Sequence, residues 1–257
     1  MNYLKDAEKA AELAENIVMS YFNKKKIIEN KGEVDLVTDA DKKAEKKILE
    51  FLKIRYPDHG FILEENKNQC EGCEYIWIID PIDGTTSFAH NYPMFSISIA
   101  LYKNNKPLAG VVKVPYLNEL FTAQKNKGAY LNKKKIRVSK ISTLRKSLIA
   151  TGFPYTRIET DMDNLKYLSK MVKIAGGIRR SGSAAIDMCY VAAGRLDGYW
   201  ELGLKIMDSA AAILIIKEAG GKVTDFSGIP IENDFSKIVA SNSHIHEDLL
   251  KILKEGS

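Results

Sequence analysis

Apolar residues recur at helical spacing from the first residues onward. Ala7, Ala10, Ala11, Leu13, Ala14, Ile17, Val18, Tyr21 and Phe22 fall on one wide face, which predicts an amphipathic helix over residues 2–24. The pattern lapses over 24–30, and Lys31-Gly32-Glu33 reads as a polar turn. Thr38 or Asp39 can cap a second helix that runs to about Arg55, before Pro57. The period then becomes that of strands. Phe61-Ile62-Leu63 is a short one leading into Glu64-Glu65, and residues 75–79 have the β-branched and aromatic content of a buried one. Asp80-Pro81 is expected to end that strand, because proline has no N–H for the ladder. Residues 95–102 alternate, and 108–114, 120–124, 128–131 and 136–138 follow with short connections. These predict an antiparallel meander, with Lys133-Lys134-Lys135 at a hairpin tip.

From about residue 146 strands and helices alternate. Strands are predicted at 148–151, 178–180, 196–201, 222–225 and 237–240. Helices are predicted at 161–173, 184–193, 208–219 and 246–254; Gly194 and Gly220-Gly221 stop the second and third. No linker, repeat or low-complexity stretch separates the halves. Residues 1–145 and 146–257 are expected to be packed lobes of one unit, the first α+β and the second α/β.

Trp77-Ile78-Ile79-Asp80-Pro81-Ile82-Asp83-Gly84-Thr85-Thr86 concentrates the chemistry. Two carboxylates at one strand end are costly unless a cation holds them. Gly84 lets backbone approach a ligand closely, and the free N–H groups beside it favour an anion. Metal ions with a phosphate satisfy both halves of the stretch together.

Asp80-Pro81-Ile82-Asp83-Gly84-Thr85-Thr86 resembles the central motif of the inositol monophosphatase family of Mg-dependent, lithium-sensitive phosphatases. Trp200-Glu201-Leu202-Gly203-Leu204-Lys205-Ile206-Met207-Asp208, running on to Glu218-Ala219-Gly220-Gly221, is similar to a second family motif. Asp35-Leu36-Val37-Thr38-Asp39-Ala40-Asp41 is a weaker third, and Phe61-Ile62-Leu63-Glu64-Glu65 fits the family's acidic pair. The matches occur in family order across nearly the whole chain. They imply a layered αβαβα sandwich of α/β (α+β) class, a homodimer, and Mg²⁺ at two or three ions per site.

The resemblance implies Glu64, Asp80, Asp83, Asp208 and the Ile82 carbonyl as metal ligands, with Asp80 bridging two ions. Hard divalent cations take such oxygens, and the chain has no HExxH and no histidine cluster for zinc. Adjacent strand residues point to opposite faces, so Glu65 is the alternative to Glu64. Asp41, Thr85 and Glu64 form the implied catalytic set, with Asp41 paired to Thr85 to polarise the attacking water. On composition alone Asp41 is a dipole-complementing residue in a first helical turn. The backbone of Gly84 and Thr85 would hold the phosphate. Glu201, Gly182, Ser183, Ala184 and Asp83 would line a sugar or inositol pocket. Lys31 would lie near metal or phosphate on a hairpin over the site. Tyr155, Arg179 and Arg180 would reach a second phosphate, and Lys205 stands where animal members often carry histidine. For Lys31 and the arginines a plain surface position is the competing reading.

The implied function is hydrolysis of a sugar or inositol phosphate monoester, inositol 1-phosphate and/or fructose 1,6-bisphosphate, by a metal-activated water. The competing readings are a nucleotide-type phosphatase, acting on 3′-phosphoadenosine phosphates or NADP, and a binding role with RNA or RNA polymerase. Relatives of the nucleotide type usually carry longer insertions than 257 residues allow.

Composition narrows the remainder. Hydrophobic residues make up 45% and charged residues 28%, as in soluble globular proteins. The net charge of +5 is met by a solvated lysine-rich surface. No RNA-binding motif or aromatic platform is visible, so nucleic acid is not an expected partner. No apolar run reaches membrane-spanning length, and the N-terminus is charged and amphipathic, so a cytoplasmic protein is expected. Cys70-Glu71-Gly72-Cys73 is a lone CxxC without the two further ligands zinc requires, and Cys189 reads as core.

Overall fold

The computed structural model describes residues 2–22, 28–30, 36–65, 72–154 and 164–254. Its first sheet contains β3 (Gly60–Leu63), β4 (Tyr75–Asp83), β5 (Ser96–Lys103), β6 (Lys106–Val114), β7 (Glu119–Gln124), β8 (Gly128–Leu131) and β9 (Lys134–Lys135), in that spatial order. Only the β3–β4 pair is parallel; the rest is the expected meander. The second sheet holds β10 (Leu148–Thr151), β11 (Gly177–Arg179), β12 (Gly198–Leu202), β13 (Lys222–Thr224) and β14 (Lys237–Ser241), in the order β11-β10-β12-β14-β13. A separate antiparallel pair, β1 (Ile28–Asn30) and β2 (Leu36–Thr38), precedes them.

Helices fill the layers around and between these sheets. α1 (Tyr3–Tyr21) and α2 (Asp39–Arg55) share a core with one face of the first sheet, including Trp77, Ile79, Ile97 and Val111. The other face shares a second core with α5 (Ala184–Ala192), α6 (Ile206–Glu218) and the inner face of the second sheet. α4 (Leu165–Ile174) and α7 (His246–Lys254) close the outer face around Trp200, Val239 and Leu249. The order is helix, sheet, helix, sheet, helix, as the resemblance implied. α5 and α6 are buried on nearly every side, which suits their apolar sequences AAIDMCYVA and IMDSAAAILIIKE. Cys189 is in this core, fully buried. Sheet membership divides between Lys135 and Leu148, while the α5–α6 layer belongs to both sides.

Local chemistry explains where elements depart from expectation. α1 stops at Tyr21 rather than residue 24, because Phe22 turns extended and packs its ring against Phe88, Phe95 and Tyr116. Only the first residue of the lysine run lies at the hairpin tip. Asn132 and Lys133 take the left-handed turn positions, with φ of 47° and 66°, and Lys134–Lys135 already pair as β9. α6 begins two residues before Asp208, so this carboxylate lies inside the first turn and accepts the N–H of Lys205 at 2.7 Å. The larger correction concerns β4. It does not end at Asp80 but runs through Pro81 to Asp83, with a register shift between the two aspartates.

Candidate active site

That register shift builds the centre of the site. Asp80 lies opposite Ser98 and Asp83 opposite Ser96, so three steps on β4 match two on β5. In a regular strand, residues three apart point to opposite faces. The extra residue of the bulge brings both aspartates to one face, and it supplies a position where proline's missing N–H costs nothing. The chain then turns at Gly84, whose φ is 93°, into the short helix α3 (Thr85–Ala89). A Cβ at Gly84 would lie 2.9 Å from the Met94 carbonyl oxygen and 3.1 Å from that of Gly182, so the turn is closed to other residues.

Each aspartate has one oxygen fixed by the fold. Asp80 Oδ1 accepts the N–H of Ile82 at 3.0 Å. Asp83 Oδ2 accepts Ser183 Oγ at 2.5 Å, the N–H of Ala185 at 2.8 Å and Ser96 Oγ at 3.3 Å. Ser183 is the N-cap of α5 and also accepts the N–H of Ile186. A carboxylate of the first sheet is therefore locked onto a helix that leads into the second. Asp208 Oδ2 is held by Lys205 N–H, as above.

Glu64, Asp80, Ile82, Asp83 and Thr85 line one cleft on the first-sheet side. Gly182, Ser183, Ala184, Glu201 and Asp208 line it on the other. Burial raises Asp80, Asp83, Asp208 and Glu201. Asp80 is pushed well above the usual range by burial and then by Glu64, Asp83, Asp208 and Asp41. Asp83 rises to about 6 through burial, opposed by the donors on Oδ2. Asp208 rises to about 7, through burial and then Asp83. Glu201 rises to about 8 through burial, opposed by the hydroxyl of Tyr199 that donates to it. Among the described residues no three His, Cys, Asp or Glu side chains are grouped so as to hold a metal ion. The acids line the cleft and act on one another through charge instead. Among the described residues the cleft offers carboxylate and carbonyl oxygens and no imidazole or thiolate, a donor set that fits a hard divalent cation.

The remaining expected residues fall in different places. Asp41 is buried on α2 and its charge reaches Asp80. The Thr85 hydroxyl donates to the Ile82 carbonyl at 3.0 Å. Glu64 lines the cleft and Glu65 does not. The arginine pair divides at the end of β11, which stops at Arg179. Arg180 lines the cleft, while Arg179 donates to its neighbour's carbonyl, Ile178 O, at 2.9 Å. The Lys205 side chain is exposed. Lys31, Tyr155 and Cys70 lie outside the described residues.

Sequence reading missed several contributors. Asp187, on the first turn of α5, lines the cleft and is raised to about 7 by burial, with Ser181 donors opposing. Asn164 is fully buried. It donates to Thr151 Oγ1 at 2.5 Å and Gly152 O at 2.7 Å, and accepts Trp200 Nε1 at 2.7 Å. Gly152 lies under Glu201: a Cβ there would be 2.1 Å from its Oε1. Glu45 of α2 accepts the N–H groups of Glu64 and Glu65. Only Gly152, in Gly152-Phe153-Pro154 after a predicted strand, carried a sequence signal.

A model of the inositol monophosphatase family matches residues 2–257. An inositol-1-monophosphatase of Synechocystis sp. is 43% identical over 254 residues, 98% of this chain and 88% of that protein. A Nus factor SuhB of Vibrio cholerae is 44% identical over 253 residues, 97% of this chain and 94% of that protein. The solved inositol monophosphatase of Anabaena (Nostoc) sp. superposes with a TM-score of 0.91 at 39% identity, covering 98% of this chain and 95% of that one.

Proposed function

The chain belongs to the inositol monophosphatase family, and on that premise we propose that it is a Mg²⁺-dependent phosphatase of sugar or inositol phosphate monoesters. One observation carries the reading: buried Asp80 and Asp83, turned to one face by the β4 bulge, share a cleft with Glu64, Asp208 and Glu201. Buried carboxylates at such spacing raise one another's pKa, and divalent cations relieve that repulsion. Glu64, Asp80, Asp83, Asp208 and the Ile82 carbonyl would hold two or three ions. Bound Mg²⁺ supplies Lewis-acid charge to the phosphate and the attacking water.

The chain's own groups do the rest. The Gly84 and Thr85 N–H groups bind phosphate oxygens, beside a turn that tolerates no side chain at Gly84. Thr85, turning its hydroxyl proton from Ile82 O towards Asp41, accepts a hydrogen bond from the water and orients it. The water oxygen bonds to phosphorus as the ester P–O bond breaks; the proton the water gives up passes through Thr85 to Asp41 and returns through solvent to the leaving oxygen, so the products are the alcohol and inorganic phosphate. Glu201 receives a hydroxyl of the leaving sugar or inositol, seated on Gly152 and steadied by Tyr199. Arg180 at the cleft lip suits a second phosphate, which favours including fructose 1,6-bisphosphate among substrates.

The test is phosphate release with Mg²⁺ from inositol 1-phosphate, fructose 1,6-bisphosphate, NADP and 3′-phosphoadenosine 5′-phosphate, beside Asp83→Asn. Turnover of the first two that falls at least about 10³-fold in Asp83→Asn is expected. Turnover of nucleotides alone would overturn the role of Glu201. The Nus factor name of the Vibrio relative supports a second, binding role. RNA binding by the purified protein at low salt would establish it, and its absence there would remove it.

A further inference from the structure

We infer that Glu45 is a positioning residue that aims the Glu64 carboxylate into the cleft. The inference rests on the metal-binding reading above. α2 presents two acids one turn apart, Asp41 and Glu45, and both are buried, Glu45 completely. A buried carboxylate is expensive, and its neighbours on that face, Ala44 and Ile48, show that an apolar side chain fits there. Glu45 Oε2 offsets part of that cost by accepting Glu64 N–H at 2.8 Å and Glu65 N–H at 2.9 Å.

This bond pattern fixes a shape. In an extended strand, successive N–H groups point to opposite sides. Two consecutive N–H groups can converge on one oxygen only where the chain bends. The chain does bend at Glu64 and Glu65, directly after β3 ends at Leu63. The bend is what selects between the two glutamates, since Glu64 lines the cleft and Glu65 does not. Glu45 thus supplies from a rigid helix the direction that β3, a four-residue edge strand, lacks.

Reach and charge can be separated by two variants. Glu45→Asp keeps the charge and is one methylene too short; Glu45→Gln keeps an acceptor oxygen at the right distance and removes the charge. Mn²⁺ affinity would be measured by electron paramagnetic resonance, and protection of the Glu64 and Glu65 amides by hydrogen exchange. In Glu45→Asp both amides lose protection and Mn²⁺ binds at least about tenfold more weakly; in Glu45→Gln protection persists and affinity stays within roughly threefold. Affinity that tracks the protection of these two amides, in whichever variant folds, supports the inference. Affinity that falls while they stay protected, or persists when they do not, overturns it. Wild-type protein that takes up no Mn²⁺ would instead overturn the functional reading itself.

Discussion

Replacing Gly152 by alanine would put a methyl group where the Glu201 carboxylate now lies. The new Cβ would be 2.1 Å from Oε1 and 2.2 Å from both Cδ and Oε2. Ordinary contacts between such atoms begin near about 3.5 Å, so the carboxylate must retreat by more than about 1 Å. The group that yields is the end of a flexible side chain, and Gly→Ala lowers the entropy of the unfolded chain by an amount worth about 0.4–1 kcal/mol. Net stability should therefore change by less than about 1 kcal/mol, a Tm shift within roughly 4 °C. Recognition should suffer much more. Displacing a positioning group by 1 Å costs about 10²-fold, and a lost hydrogen bond costs about 0.5–1.5 kcal/mol. The assay compares kcat/KM for inositol 1-phosphate with that for phenyl phosphate, which has no sugar hydroxyl. The first should fall about 10- to 100-fold and the second should stay within about twofold. An unchanged first value would remove Glu201 from substrate recognition. An equal fall in both would place the damage at the phosphate end of the cleft and refute the reasoning.

Three further outcomes follow from other parts of the structure. Asn164→Leu strands Trp200 Nε1 and the Gly152 carbonyl in the core, and should lower the unfolding free energy in urea by at least about 2 kcal/mol. His246 is fully buried between Thr224 and Ser241, and burial lowers its pKa from 6.5 to about 4. Between those values the unfolded chain binds a proton that the folded protein does not. The contribution of His246 is therefore complete above pH 6.5 and declines by up to about 3 kcal/mol as pH falls towards 4; the raised acids of the cleft act with the opposite sign, so it is read as the difference between wild type and His246→Asn in denaturation at pH 7 and pH 5. Mg²⁺ at about 100 times its Kd should raise Tm by several degrees, since binding to the folded state alone adds about 2.7 kcal/mol. Asp208→Asn should abolish most of that rise; a rise of equal size would remove Asp208 from the ligand set.

The layers were legible because their signals are periodic. The wide alanine face of α1, the alternation in β5 and the apolar runs of α5 and α6 each point to one element and one buried surface. The acids of the cleft were legible as motifs, since Asp80, Asp83, Glu201 and Asp208 belong to strings that carry a resemblance as units. What escaped is geometry that a period cannot encode. Pro81 reads as a strand terminator, yet at a bulge its missing N–H has no cost, and the strand continues. Glu45 sits in the lysine-rich stretch DKKAEKK, which looks solvated, and nothing in the string shows that this glutamate is fully buried under β3. Asn164 follows the stretch of chain between β10 and α4, and its partners lie 12 to 36 residues away.

The bonds from Ser183 and Ala185 to Asp83 join positions 100 and 102 residues apart. Such a clasp cannot close until α5 has docked on β4, because distant partners meet only after the intervening loop entropy is spent. The catalytic centre is thus a record of completed assembly. During refolding, far-UV ellipticity should return first and phosphatase turnover last. A half-assembled chain would then carry all its acids and no hydrolytic power.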